Sequence, residues 1–231
     1  MTILNEGARS VTTLMDYDGV LAVKKVFRPG CERFNEREVF ARKRLSPRFP
    51  EIPPLLDHGE LYVVSPFYTD SLCFDRSELR LFPVSIAVQV LRFLERLYHA
   101  GFALLDAHPE NLLVTEKGNV MFFDFEFLHV YGNSRPASFC RSWDLLGPPP
   151  DWDGDQPRGG CPTWESHWAP YVGLSMADIT QASSKRQQWL RLLHWATYVL
   201  PRKVDRYLPP AGRRIKHRLA RIVRSRREHD G

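Results

Sequence analysis

A chain of 231 residues, 43% hydrophobic and 12% aromatic, is long enough to bury a sizeable core and too apolar to be disordered. It has no run of about 18 apolar residues, and the N-terminal MTILNEGARS lacks a basic region leading into an apolar one; neither a membrane span nor a secretory signal is indicated, and a cytoplasmic location is expected. Residues 201–231 hold 11 Lys/Arg against 3 Asp/Glu, a local +8 within an overall +5, so residues 1–200 carry −3 and do not look like a nucleic-acid-binding body. Cys31, Cys73, Cys140 and Cys161 are scattered without a C-x-x-C pair, as expected of reduced thiols in packing roles.

In chain order, residues 3–27 read as three strands, with β-branched and apolar runs at 11–15 and 20–27 around the turn Asp16-Tyr17-Asp18-Gly19. Residues 31–45, bounded by Pro29-Gly30 and Ser46-Pro47, read as a helix. Proline-punctuated coil over 47–56 leads to a strand over 60–65, and the stripe Val84, Val88, Leu91, Leu94, Leu97, Tyr98 marks a long core helix. The runs 111–114 and 120–123 flank a turn in which Lys117-Gly118-Asn119 signals a hairpin. Folding that hairpin brings Asp106, Asn111 and Asp124 to one end. There, Asn and Asp oxygens suit a divalent cation, and a second carboxylate can take a proton. Residues 185–200 read as a helix whose Trp189, Leu190, Leu192, Leu193, Ala196, Val199 and Leu200 are expected to pack and close the domain.

The stretch 104–127, LLDAHPENLLVTEKGNVMFFDFEF, resembles the catalytic loop and metal-binding segment of the protein-kinase-like superfamily: D-x-x-x-x-N, a hairpin, then D-F-x. Asp106 precedes Asn111 by five positions and Asn111 precedes Asp124 by thirteen, as in many protein kinases. Leu104-Leu105 replaces the usual His-Arg, His108 stands at the usual lysine, and Glu126 replaces the glycine of D-F-G. DAHPEN and DFEF are closer to small-molecule kinases, such as those for aminoglycosides and choline, and bacterial kinases of lipopolysaccharide core sugars are a further comparison.

The resemblance implies an α+β, bilobal protein-kinase-like fold. It would have a small antiparallel N-lobe over 1–67, a reduced, mainly helical C-lobe over 68–200, and a basic tail over 201–231. By the same resemblance, Lys24 in VLAVKKVF is the expected phosphate-pairing lysine, and Lys25, on the other strand face, is expected to be solvated. Glu36 is the preferred helix partner for Lys24. Glu38, which shares a face with Phe34, Ala41 and Leu45, is the alternative. Gly7 alone represents the glycine-rich loop, and residues 65–68 would offer backbone groups to an adenine ring. Asp106 would serve the acceptor hydroxyl, Asn111 and Asp124 would hold Mg²⁺ against ATP, and His108 would either contact phosphate or pack the loop. Glu126 would either extend the metal shell or cap a turn.

RSWDLLG at 141–147 follows without an A-P-E motif, which implies a curtailed peptide platform. In the Pro/Gly/Asp/Trp-rich loop 148–173, Asp151, Asp153 and Asp155 fail the calcium-loop pattern. Trp152, Trp164 or Trp168 could stack on an acceptor sugar or simply pin the loop. The tail stripe Ile215, Leu219, Ile222 amid arginines suits peripheral contact with the inner face of an anionic membrane. Together these features imply ATP- and Mg-dependent transfer of the γ-phosphoryl group to a hydroxyl of an envelope glycan, lipopolysaccharide core or small polar acceptor. The alternatives are a protein Ser/Thr kinase and a pseudokinase scaffold that binds nucleotide without transfer.

Overall fold

The computed structural model describes residues 2–68, 81–133, 135–139 and 163–200. Residues 141–147, the tail 201–231, Trp152, the aspartates of the 148–162 stretch, and Cys73, Cys140 and Cys161 lie outside these residues. Strands β1 (Thr2–Glu6), β2 (Ser10–Tyr17), β3 (Val20–Phe27), β4 (Asp57–Gly59) and β5 (Tyr62–Pro66) form one antiparallel sheet in the order β1-β2-β3-β5-β4. Asp18 and Gly19 both take positive φ, 51° and 79°, the tight-turn geometry that lets β2 and β3 pair along their whole length. Asp16 fixes that turn by accepting a hydrogen bond from the Gly19 N–H at 2.9 Å.

Helix α1 (Glu32–Phe40) runs on as a wider π-helical turn over Ala41–Leu45. Its buried stripe is Phe34, Glu38, Ala41, Arg42 and Leu45, so a carboxylate and a guanidinium go into the interior on the face with the apolar residues. Helix α2 (Val84–His99) is the axis of the main core and buries Ile86, Ala87, Val90, Leu91, Phe93, Leu94, Leu97 and Tyr98.

After α2 the chain makes two short ladders. Strand β6 (Phe102–Leu104) pairs with β9 (Leu128–Val130), and β7 (Leu112–Val114) pairs with β8 (Val120–Phe122). The β7–β8 turn closes with Gly118 at φ 78° and the Thr115 N–H donating to the Asn119 carbonyl, as its Lys-Gly-Asn sequence implies. Phe93 of α2 stacks on Phe122 of β8 at 5.0 Å, which locks the hairpin to the helix. A second, smaller cluster, Phe27, Phe34, Leu105 and Phe127, ties the sheet and α1 to the ladder region. The fold class is α+β, with a small antiparallel sheet and several helices. Among the described residues no helix is long and apolar enough to cross a membrane.

The last helix departs from expectation. Ser184–His194, extended by a π-helical turn over Trp195–Val199, is held to the body by polar groups. Arg191 donates to the Val172 and Phe82 carbonyls at 3.1 and 2.7 Å, and Gln187 donates to the Asp178 carbonyl at 3.1 Å. His194 shares a hydrogen bond with the Pro170 carbonyl at 2.9 Å. These anchors share one helix face with Leu190, so Trp189, Leu192 and Leu193 are turned to solvent, 72, 56 and 60% exposed. Of the apolar residues expected to pack, Leu190 lies against the main core and Val199 is buried, whereas Trp189, Leu192, Leu193, Ala196 and Leu200 are exposed.

Candidate functional site

The two ladders bracket the site. The Leu105 N–H donates to the Phe127 carbonyl at 3.1 Å, and the Phe123 N–H donates to the Asn111 carbonyl at 3.2 Å. The loop carrying Asp106 is thereby held against the segment carrying Asp124 at both ends. Within that loop, residues 109–111 make a single 3₁₀ turn that begins at Pro109, whose fixed φ suits a first helical position.

Facing this frame from β3 is Lys25, not Lys24. The Lys25 Nζ lies 2.8 Å from Glu38 Oε1, 2.9 Å from Asp124 Oδ1 and 3.5 Å from Glu126 Oε2. Lys24, on the opposite strand face, lies 4.2 Å over the Tyr62 ring. The sequence expectation is corrected on both members of the pair, because Glu36 is exposed on α1 while Glu38 is fully buried. Phe27 is the residue that could have told them apart. It lies two positions beyond Lys25, on the same strand face by alternation, and belongs to the buried cluster that also takes in Phe34 of α1.

Glu38 is over-determined. Its Oε1 also accepts from the Phe125 N–H at 3.0 Å, and Arg42 Nη2 sits 3.0 Å from its Oε2 while donating to the Phe123 carbonyl at 2.7 Å. Glu38 and Arg42 thus fix the backbone on both sides of Asp124. Burial favours a neutral amine, yet Asp124, Glu38 and Glu126 outweigh it and hold the Lys25 ammonium well above its ordinary pKa. Burial likewise opposes ionisation of Asp124, and Lys25 overcomes it, leaving that carboxyl below its usual range.

Glu126 is less fully compensated. Burial, then the neighbouring Asp124 charge, push its carboxyl up to about 7, against the pull of Lys25 and Arg9. Arg9, from the β1–β2 turn that contains Gly7, reaches Glu126 Oε1 at 3.1 Å, while Arg37 donates to the Glu126 carbonyl at 3.1 Å. Glu126 therefore ties the β1–β2 turn and α1 to the segment that follows Asp124.

On the loop side, Asn111 Nδ2 donates to the Asp106 carbonyl at 2.9 Å and contacts Asp106 Oδ2 at 3.3 Å. His108 Nε2 lies 3.1 Å from Asp106 Oδ1, so His108 orients the carboxylate, and its ring packs edge-on against His167 at 4.3 Å. Trp168 Nε1 donates to the Ala107 carbonyl at 2.7 Å. Trp164 and Trp168 stack at 5.6 Å and are wholly buried, so neither can stack on a sugar, and the pinning role is the one they fill.

Asn111 and Asp124 are the residues that could hold a magnesium ion. Asn111 donates its amide N–H groups to Asp106, so its Oδ1 is the atom that can accept a cation, and Asp124 engages Lys25 and the Glu126 N–H through Oδ1. Mg²⁺ commonly takes one or two protein oxygens and completes its shell with phosphate and water. Among the described residues there is no cluster of three His, Cys, Asp or Glu side chains set to hold a metal. No family model matches the chain, and no curated protein matches it.

Proposed function

We propose that the chain is an ATP- and Mg²⁺-dependent phosphotransferase of bilobal protein-kinase-like fold that moves the γ-phosphoryl group to a hydroxyl. The observation that carries the reading is the buried Lys25–Glu38 pair joined to the half-buried Asp124, beside Asp106 and Asn111. In this reading Lys25 shares its charge with phosphate oxygens, Glu38 keeps the ammonium in position, and Asn111 and Asp124 hold the ion. Bound Mg²⁺ supplies charge neutralisation at the phosphates. Asp106, aimed by His108 and Asn111, orients the acceptor hydroxyl and takes its proton.

The acceptor class proposed is a sugar of an envelope glycan or lipopolysaccharide core, or another small polar alcohol. It is supported by the DAHPEN and DFEF wording and by the lack of an A-P-E motif after Asp124. A nucleotide-binding scaffold without transfer is the second reading, favoured by Glu126 and its bridge to Arg9. Incubation with γ-labelled ATP and either core-glycan or protein acceptors separates the cases. Label in the glycan is expected; label only in protein refutes the acceptor class, and bound ATP with no transfer favours the scaffold.

A further inference from the structure

The last helix presents an apolar stripe that the described residues leave exposed. Trp189, Leu192, Leu193, Ala196 and Leu200 follow one another at helical spacing and are all exposed, while Gln187, Arg191 and His194 occupy the body-facing side. From Trp189 to Leu200 the stripe runs about 16 Å at 1.5 Å per residue. Lys185 and Arg186 lie at its start, Arg186 with a side chain 70% exposed and 3.8 Å from Asp178. At its far end the chain passes directly into residues 201–231, with 11 Lys/Arg against 3 Asp/Glu.

We propose that this helix lies on an anionic lipid bilayer, with the Trp189–Leu193–Leu200 stripe entering the headgroup boundary. The basic residues at both ends would meet the lipid phosphates. A tryptophan and leucines on one face with cations around them are the chemistry of an interfacial helix. A second protein would have no need of +8 in the adjoining segment, whereas a negatively charged surface does. The inference does not depend on the phosphotransferase reading, since it uses no residue of the Lys25–Asp124 site.

The test is co-sedimentation of the full chain with vesicles of phosphatidylcholine, or of phosphatidylcholine with one third phosphatidylglycerol. Binding is expected only to the anionic vesicles and should weaken with salt. The variant Trp189→Ser/Leu193→Ser is expected to lower vesicle affinity roughly tenfold or more, with its circular dichroism and melting temperature unchanged because both residues are exposed. Deleting residues 201–231 should also weaken binding. Wild-type binding in the double variant overturns the proposal, as does binding that strengthens on tail deletion, which would mean that the tail covers the stripe. A dimer in sedimentation velocity that the double variant dissolves, without vesicle binding by the wild type, overturns it in favour of a second copy.

Discussion

Replacing Lys25 by methionine removes the one cation shared by Glu38, Asp124 and Glu126, leaving three carboxylates around an apolar group. Breaking a buried ion pair from one side costs about 3–5 kcal/mol, because the remaining charge stays buried without compensation. Arg42, 3.0 Å from the second oxygen of Glu38, retains part of the compensation, which places the loss near the lower figure. At roughly 2–4 °C per kcal/mol for a chain of this size, about 3 kcal/mol lowers the melting temperature by roughly 6–12 °C. Lys24→Met is the control. It forfeits a cation–π contact at 4.2 Å at a half-buried position, a loss of less than about 1 kcal/mol. Thermal denaturation of both variants at pH 8 and at pH 5 checks this. The Lys25→Met deficit should shrink at pH 5, where carboxyls without their cation can take protons. Equal losses in the two variants, or a larger one for Lys24→Met, would refute the assignment of the buried cation.

A second expectation concerns Glu126. Its carboxyl is raised in the fold from an ordinary 4.5 to about 7, so its contribution to stability is fully present below about 4.5 and is lost as pH rises through 7. Glu126→Gln should therefore gain melting temperature relative to wild type between pH 5 and 8; a constant difference across that range would contradict the raised value. Trp168→Phe keeps most of the stack on Trp164 but loses the hydrogen bond to the Ala107 carbonyl. It should cost about 1 kcal/mol in urea denaturation, and Trp168→Ala about 3–5 kcal/mol. If Trp168 were instead an acceptor platform, truncation would leave stability untouched.

Much of the site was legible because its spacing is local. Asp106, Asn111 and Asp124 are carried by one hairpin whose apolar runs and Lys-Gly-Asn turn can be read directly, and the structure brings Asp106 and Asn111 into contact. The partners on β3 and α1 were harder, because two adjacent lysines and two glutamates two apart each offer one choice per face. Which face turns inward depends on contacts across the fold. Phe27 and Phe34 enter one buried cluster with Leu105 and Phe127, and the faces that carry them inward also carry Lys25 and Glu38. The bridge from Arg9 to Glu126 spans 117 positions, beyond any local pattern. The last helix differs for a related reason: Leu190 and Val199 turn inward as their apolar character implies, but Gln187, Arg191 and His194 find backbone carbonyls on the body and leave Trp189, Leu192 and Leu193 outside.

The most direct test of the central claim is single-turnover transfer from γ-labelled Mg-ATP to a hydroxyl acceptor, with wild type and Asp106→Asn compared at saturating nucleotide. Asparagine preserves the shape of the side chain that His108 and Asn111 hold but cannot take a proton. The rate should fall by about 10²–10⁴-fold with Mg-ATP affinity unchanged. Undiminished transfer by Asp106→Asn would contradict it, and so would a wild-type protein that binds no nucleotide.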